Sequence, residues 1–139
     1  MFPMIQLLVG KKGSGKTKTL IENVNSSASV ADGNIVFISN DTKRHIYDIS
    51  HKVRMVDTSE FQIKYFASFY GFLCGLISQD YDISTIYIDS LTKICSDEIS
   101  FIEKFMDSLE KLSADFNVSF FITVSKDMEE LPESIKKYI

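Results

Sequence analysis

A single run of residues near the start of the chain combines the residue types that bind phosphate at the required spacing. Residues 10–17 read Gly-Lys-Lys-Gly-Ser-Gly-Lys-Thr, which is a complete G-x-x-x-x-G-K-[ST] motif. The glycines let the backbone turn tightly and point successive N–H groups at phosphate oxygens. Lys16 is predicted to reach the β- and γ-phosphates of a nucleotide, and the Thr17 hydroxyl to ligate Mg²⁺. The residues predicted to bind the nucleotide here are Gly10, Lys11, Lys12, Gly13, Ser14, Gly15, Lys16 and Thr17.

The segments on either side of this loop have the order that a phosphate-binding loop requires. Residues 4–9 form a short apolar run, which is typical of a buried parallel strand. Residues 16–25 carry Leu20, Ile21 and Val24 at helical spacing. A helix that starts directly after the loop adds its positive N-terminal end to the phosphate site. Lys18, which lies on this helix, is assigned no role.

Strands and helices are predicted to alternate along the rest of the chain. Short apolar or β-branched runs predict four more strands, at residues 35–38, 53–57, 84–89 and 118–124. Helical spacing of apolar residues predicts helices over 61–78 and 98–114, and a short closing helix over 128–139 with Pro132 in its first turn. This alternation favours an α/β fold, a three-layer α/β/α sandwich around a mostly parallel five-stranded sheet. The length of 139 residues suits one core, so residues 1–139 are predicted to form a single nucleotide-binding domain.

The residues that end the predicted strands are candidates for a site, because ligands bind at the carboxyl ends of parallel strands. The polar residues at these ends are Asn40, Asp41, Asp57, Asp89, Ser90 and Ser125. Asp89 follows an apolar strand and is predicted to organise Mg²⁺, either through a water or together with Thr17. An aspartate after a strand is also a common turn residue, and the loop upstream makes this alternative the less favoured one. Ser90 stands where many hydrolysing enzymes with such a loop carry a glutamate that activates water.

Two of these strand ends carry a resemblance to a known family. Residues 86–90 read Ile-Tyr-Ile-Asp-Ser and resemble the magnesium-site strand of RecA-like ATPases, in which an Asp-Ser pair is frequent. In that family the catalytic glutamate ends the second strand, and Asp41 stands at its position in residues 37–41. Aspartate is one methylene shorter, so a weaker general base is expected. The resemblance implies a P-loop NTPase of RecA-like architecture, with ATP and Mg²⁺ as its cofactors.

The RecA-like resemblance also implies roles for individual residues. Ser125 stands where RecA-like proteins often place a polar residue that senses the γ-phosphate. The implied catalytic residues are Lys16, Asp41 and Asp89, and the implied metal ligands are Thr17 and Asp89. The whole sequence is also similar to short bacterial P-loop ATP-binding proteins, and this similarity implies nucleotide binding and little else.

A second, partial resemblance concerns Lys11. The loop of dimerising ATPases of the ParA and MinD type reads G-K-G-G-x-G-K-T, and Lys11 stands at the position of their signature lysine. In those proteins this lysine crosses to the phosphates of a partner. Lys12 replaces the second glycine of that pattern, so a trans-acting Lys11 is the less favoured alternative.

Composition and charge restrict the other classes of function. Hydrophobic residues make up 45% and charged residues 24% of the chain, as in an ordinary globular protein. The net charge of −4 gives no overall attraction to nucleic acid, so charge does not indicate nucleic acid as a partner. No apolar stretch approaches the ~20 residues of a spanning helix, so no membrane span is expected. Met1-Phe2-Pro3 does not begin a signal peptide, and the expected location is the cytoplasm.

A second basic stretch lies between residues 43 and 54. Its members are Lys43, Arg44, His45, His51, Lys52 and Arg54. A solvated loop is the favoured interpretation, and a binding patch is the alternative. The two histidines lack acidic or cysteine partners at ligand spacing, so no zinc site is expected. Cys74 and Cys95 are isolated and are predicted to be buried or neutral thiols.

Residues 61–78 are unusually rich in aromatic side chains. These are Phe61, Tyr65, Phe66, Phe69, Tyr70 and Phe72. Spacings of three and four place most of the rings on one broad face of a helix, which favours packing against the sheet. A surface for base stacking or for docking a partner is the alternative.

Three functions remain after these observations. The leading hypothesis is a slow Mg²⁺-dependent ATPase that acts as a nucleotide-controlled switch or motor-like subunit, as a homo-oligomer or with a protein partner. A neighbouring subunit could then supply an arginine, and only Arg44 and Arg54 are available. The alternatives are a small-molecule kinase of the nucleoside type and a non-hydrolysing, nucleotide-gated adaptor.

Overall fold

Strands and helices alternate along the chain in a computed structural model, which describes residues 3–139. The strands are β1 (Ile5–Gly10), β2 (Asn34–Ser39), β3 (Arg54–Asp57), β4 (Ile83–Ile88) and β5 (Ser119–Ser125). The α-helices are α1 (Lys16–Ala28), α2 (Phe66–Gln79), α3 (Leu91–Ile94) and α4 (Ile102–Phe116). Short 3-10 segments span Thr42–Arg44, Thr58–Phe61, Ile99–Phe101, Met128–Glu130 and Glu133–Tyr138. The expectation about the start of the chain concerns Met1 and Phe2, which lie outside the described residues.

The five strands form one sheet in which each neighbouring pair is parallel. Their order across the sheet is β1-β5-β4-β2-β3. β5 therefore lies between β1, which leads into the phosphate-binding motif, and β4, which leads to Asp89. Gly10 pairs with Ser125, and Ile88 pairs with Ile122. Because parallel strands end at the same edge, the residues that follow β1, β4 and β5 meet there.

Side chains along the strands alternate between two cores, one on each face of the sheet. Val36 and Ile38 of β2 face the larger core, against which α2 and α4 pack. Ile35 and Phe37 of the same strand face the smaller core, where Leu20 of α1 lies. The sheet thus lies between two helical layers, and the predicted three-layer α/β/α sandwich is confirmed.

The aromatic segment forms two elements, where the sequence predicts one helix over residues 61–78. Thr58–Phe61 is a 3-10 turn, and Gln62 ends it with a left-handed φ of 56°. α2 begins at Phe66, whose N–H donates to Asp97 Oδ1 at 2.8 Å. The helix start is therefore fixed by a residue far away in the chain, which the local periodicity does not reveal.

The aromatic rings of this segment divide between the core and the solvent. Phe66 and Phe69 are buried and stack on Phe105 of α4, with ring centroids 5.0 and 6.0 Å apart. Phe61 and Tyr65 are exposed. Tyr70 and Phe72 are partly buried against the same core, so the predicted core packing of most of these rings is confirmed, and the two exposed rings precede α2.

The end of the chain differs from the closing helix predicted over residues 128–139. It forms two 3-10 segments, and Pro132 directly precedes the second one. Leu131 and Ile135 from this region are buried in the larger core. The four residues of α3 do not appear among the predicted helices, because so short a helix has no recognisable periodicity. Within residues 3–139, no helix has both the length and the hydropathy to cross a membrane.

Candidate phosphate-binding site

The motif forms a loop between β1 and α1, and two glycines determine its shape. Gly13 and Gly15 both have a φ of +86°, which residues with a Cβ rarely adopt. Ser14 N–H donates to Lys11 O at 3.2 Å and closes a turn within the loop. Lys16 follows as the first residue of α1, so the unpaired N–H groups of the helix start lie at the loop. Such an arrangement attracts anions.

Lys16 folds back onto its own loop. Its Nζ donates to Lys11 O at 2.8 Å and to Ser14 Oγ at 3.3 Å. Burial lowers the pKa of Lys16, the Asp89 carboxylate opposes this effect, and the charge of Lys93 adds to it. A lysine ammonium carries three donors, so Nζ can exchange these loop oxygens for phosphate oxygens.

Asp89 is buried directly after β4 and receives hydrogen bonds from two threonines. Thr17 Oγ1 donates to Asp89 Oδ1 at 3.0 Å, and Thr123 Oγ1 donates to the same oxygen at 3.2 Å. Only 5% of Asp89 is exposed, and such donors offset the loss of water around a buried polar group. Thr17 belongs to α1 and Thr123 to β5. The two residues predicted as metal ligands, Thr17 and Asp89, are therefore in direct contact.

The chain turns sharply after Asp89. Ser90 has a left-handed φ of 61°, which is uncommon for a residue with a Cβ and is found more often at functional sites. Its N–H donates to Thr123 Oγ1 at 2.7 Å, and its carbonyl accepts from the N–H of Lys93 at 2.9 Å. This turn starts α3 and brings Lys93 to the pocket that Lys16 lines.

His45 also contacts Asp89, although the sequence predicts a solvated loop for it. Only 9% of His45 is exposed, and its Nε2 lies 3.5 Å from Asp89 Oδ2. Its ring stands edge-on to Phe37, with centroids 6.0 Å apart. The solvated-loop prediction is wrong for His45, because the 3-10 turn Thr42–Arg44 directs this side chain inward. His51 is exposed, as the same prediction expects.

Asp41, the predicted general base, lies at the surface after β2. Its side chain is exposed, and its backbone N–H donates to Ser39 Oγ at 3.1 Å. Within the part of the chain that the structure describes, Asp41 does not line the pocket beside Lys16. Its role as a base therefore stays a prediction.

A pocket of about 370 Å³ opens beside the loop at the carboxyl edge of the sheet. Its cationic lining residues are Lys12, Lys16, Lys18, Arg44 and Lys93. Thr17, Ser90 and Ser125 add hydroxyl groups, so the predicted γ-phosphate sensor Ser125 shares this pocket with the loop. Among residues 3–139 no carboxylate lines its wall. This charge distribution favours a polyanion such as the phosphate chain of a nucleotide.

The remaining loop residues lie outside the lining of this pocket. They are Gly10, Lys11 and Ser14. Lys11 Nζ lies 3.8 Å from Asp127 Oδ1, and both side chains are exposed. The trans-acting role considered for Lys11 stays a prediction.

A second cavity, of about 350 Å³, lies between α2 and α4. Half of its lining residues are aromatic, namely Phe66, Tyr70, Phe101 and Phe105. It shares no residue with the pocket beside the loop. Its aromatic lining, with Lys104 as the single cation among residues 3–139, suits phosphate less well than the five cations beside the loop, although the two cavities are of similar size.

Two residues of the site do not follow from the sequence arguments. Lys93 comes four residues after Asp89, and its position shortly after the Asp-Ser pair is the signal that could have identified it. Thr123 resembles its β-branched neighbours in β5, so nothing in its local sequence marks it. Its role becomes visible only through the strand register, in which Ile88 pairs with Ile122 and Thr123 comes next to Asp89.

The donor atoms around Asp89 suit Mg²⁺. The described residues hold no cluster of three or more His, Cys, Asp or Glu side chains that could bind a metal by themselves. Thr17 and Asp89 offer oxygen atoms, which Mg²⁺ prefers. Neighbouring oxygens of an octahedral Mg²⁺, at about 2.1 Å from the ion, lie roughly 3.0 Å apart. Thr17 Oγ1 and Asp89 Oδ1 are 3.0 Å apart, so the pair fits an ion that takes its other ligands from phosphate and water.

Comparison with known proteins identifies the fold. No family model matches this sequence, and no curated protein is significantly similar to it. Among solved structures, the chain is similar to the flagellar accessory protein FlaH from Methanocaldococcus jannaschii, with a TM-score of 0.62 and 12% identity. The match covers 98% of this chain and 67% of FlaH. FlaH has a RecA-like fold, so the predicted RecA-like architecture is confirmed as a fold.

Proposed function

We propose that this protein binds ATP together with Mg²⁺ in the pocket beside the loop of residues 10–17. We further propose that it hydrolyses ATP slowly and acts as a nucleotide-controlled switch or motor-like subunit. The observation that carries the proposal is the contact between Thr17 Oγ1 and Asp89 Oδ1, 3.0 Å apart beside a pocket lined by cations. A hydroxyl and a buried carboxylate in contact at the end of a phosphate-binding loop are the protein ligands that a magnesium nucleotide requires.

Each part of the site has a proposed task. The loop amides and Lys16 hold the phosphates, and Thr17 and Asp89 hold Mg²⁺. Mg²⁺ held there would neutralise part of the charge of the phosphate chain. Ser125 senses the γ-phosphate from the end of β5. The RecA-like fold supports this arrangement, and residues 1–139 would act as one nucleotide-binding domain.

Calorimetric titration with Mg²⁺ and ATP, ADP or GTP tests the binding step. We expect micromolar binding of ATP that is lost in Lys16→Ala, because this change removes the phosphate-binding ammonium. Lys111→Ala is the matched control, since Lys111 is an exposed lysine of α4 away from the pocket. Absence of binding for all three nucleotides, or equal binding by Lys16→Ala, would reject the proposal. Tighter binding of GTP than of ATP would overturn the proposed base preference alone.

Phosphate release measured over a range of protein concentrations tests the hydrolysis step. Arg44 lines the pocket of its own chain, whereas Arg54 lies on the edge strand β3. Turnover per chain that rises with concentration would support a homo-oligomer in which a neighbour completes the site. Unchanged turnover in both Arg44→Ala and Arg54→Ala would exclude an arginine from either source.

A non-hydrolysing, nucleotide-gated adaptor is the second candidate. Two observations favour it: Ser90 follows Asp89 in place of a glutamate, and Asp41 does not line the described pocket. This candidate predicts micromolar ATP binding with no phosphate release above that of Lys16→Ala at any concentration. Consumption of ATP only when a nucleoside is added would instead identify the kinase alternative.

A further inference from the structure

We infer that Lys93 binds the γ-phosphate of the nucleotide and gives the pocket its preference for a triphosphate over a diphosphate. The inference rests on the proposed function, because it concerns the same pocket. Lys93 belongs to α3 and lies outside the phosphate-binding motif.

Lys93 lines the part of the pocket where the γ-phosphate of a bound nucleotide is expected. The loop and the start of α1 supply Lys12, Lys16 and Lys18 on one side. Lys93 follows another strand of the same edge, β4, four residues after Asp89. Thr17 and Asp89 would hold a metal ion that neutralises the terminal phosphates of the nucleotide. The γ-phosphate therefore lies on the Asp89 side, where Lys93 lines the wall.

The backbone under Lys93 is held firmly. Its N–H donates to Ser90 O at 2.9 Å, and Cys95 N–H donates to Leu91 O at 2.9 Å. Leu91, Ile94 and Cys95 are all buried in the larger core. Lys93 is the exposed residue of this turn and lines the pocket. Its side chain therefore starts from a backbone position that the buried neighbours hold in place.

The charge of Lys93 is available to a ligand. It takes part in none of the ion pairs found among residues 3–139, whereas Lys11 pairs with Asp127. Lys93 is also close enough to Lys16 for its charge to lower the pKa of Lys16, after the larger effect of burial. Two like charges beside one pocket repel each other, and a polyanion between them removes this repulsion. The γ-phosphate is the most negative group of the nucleotide, so we expect the strongest attraction between it and these two cations.

Arg44 is the other cation that lines the pocket from outside the loop and α1. It also lines a neighbouring cavity of about 550 Å³, together with Ile21 and Asp48. Arg44 therefore lines two cavities, and the carboxylates of Glu22 and Asp48 line the second one. This position makes Arg44 a weaker candidate than Lys93 for a dedicated γ-phosphate contact.

Nucleotide titrations of matched lysine variants test the inference. The probes are Mg²⁺ with ADP and Mg²⁺ with an ATP analogue that carries an imido group between the β- and γ-phosphates. Lys93→Ala should weaken analogue binding by about 10-fold or more and ADP binding by less than about 2-fold, because it removes one charge-assisted contact to the γ-phosphate. Lys93→Arg should keep most of the preference, and Lys111→Ala should match the unaltered protein.

The outcomes separate this inference from the proposed function. Equal losses for both nucleotides in Lys93→Ala, or no loss, would overturn the inference while the binding site stands. A selective loss of analogue binding in Arg44→Ala, with none in Lys93→Ala, would overturn it in favour of Arg44. Failure of the unaltered protein to bind either nucleotide would overturn the proposed function and this inference together. Lys93, Arg44 and Lys111 are all exposed, so we expect every variant to fold. Circular dichroism checks this.

Discussion

Thr123 is the side chain on which both Asp89 and the turn after β4 depend. Its Oγ1 accepts from Ser90 N at 2.7 Å and donates to Asp89 Oδ1 at 3.2 Å. The exposed fraction of Thr123 is 0%. Thr123→Val keeps the branched shape and removes the hydroxyl, so the change deletes two hydrogen bonds without creating a cavity.

The expected cost follows from these two hydrogen bonds. The buried Ser90 N–H loses its acceptor, and an unsatisfied buried donor costs about 1–3 kcal/mol. Asp89 loses one donor, and a hydrogen bond to a charged group contributes about 1.5–3 kcal/mol. Thr17 still donates to the same oxygen of Asp89, which reduces the second cost. We therefore expect Thr123→Val to lower the free energy of unfolding by about 2–4 kcal/mol, a large part of the roughly 5–15 kcal/mol typical of a domain.

Urea unfolding followed by circular dichroism measures this change. Thr85→Val is the matched control on the neighbouring strand β4, because the Thr85 hydroxyl takes part in none of the side-chain hydrogen bonds found in residues 3–139. It should change the free energy of unfolding by less than about 0.5 kcal/mol. Thr123→Ser restores the hydroxyl and should recover most of the loss. If Thr123→Val is as stable as Thr85→Val at an unchanged denaturant slope, the hydroxyl does not support the turn and the reasoning is refuted.

Three further predictions concern a helix cap, a thiol and a carboxylate. Asp97→Ala removes the acceptor of the first N–H of α2 and should lower the free energy of unfolding by about 0.5–2 kcal/mol, whereas Asp97→Asn should lose less; urea unfolding compares them. Burial, with Asp97 adding to it, raises the pKa of Cys95 to about 12. Cys95 should therefore react with a thiol reagent at about pH 8 only after unfolding, and mass spectrometry after brief labelling with and without urea would contradict this if the folded protein reacts equally. Burial alone would raise the pKa of Asp57, but hydrogen bonds from Ser59 and Thr42 lower it overall. A lowered folded pKa means that Asp57 stabilises the fold above about pH 4 and loses this contribution as the pH falls through the folded value. Urea midpoints should thus fall less on acidification in Asp57→Asn than in the unaltered protein, and parallel declines would contradict the assignment.

The order of strands and helices could be predicted from the sequence because the patterns that indicate them are local. The strand predicted over residues 84–89 is Ile83–Ile88, and the one over 118–124 is Ser119–Ser125. The boundaries that differ depend on contacts from distant residues. The periodicity predicts that the aromatic helix starts at Phe61, but in the structure it starts at Phe66, whose N–H donates to the Asp97 side chain. A cap that comes from another part of the chain leaves no signal in the sequence of the helix that it caps.

The site shows the same division between local and distant information. The spacing of residues 10–17 and the apolar strand before Asp89 are local patterns, so the sequence predicts both the loop and the strand end. The fold then brings Thr17 and Asp89 into contact. His45 lies in a basic stretch whose average composition indicates solvent. Its burial depends on Phe37 of another element and on the turn before it, and composition reports neither.

The direction of the hydrogen bond between Thr17 and Asp89 bears on how the proposed Mg²⁺ would be held. A carboxylate can only accept, so the single proton of the Thr17 hydroxyl must point to Asp89 Oδ1. The lone pairs of Thr17 Oγ1 then remain free for a cation, and the negative charge of Asp89 makes this oxygen a better ligand. Thr123 Oγ1 also donates to Asp89 Oδ1, and His45 Nε2 lies 3.5 Å from Oδ2. Asp89 can therefore serve the ion by orienting Thr17 as well as by contacting the ion itself. A carboxylate buried among hydroxyl donors therefore suits the proposed Mg²⁺ site better than one exposed to water would.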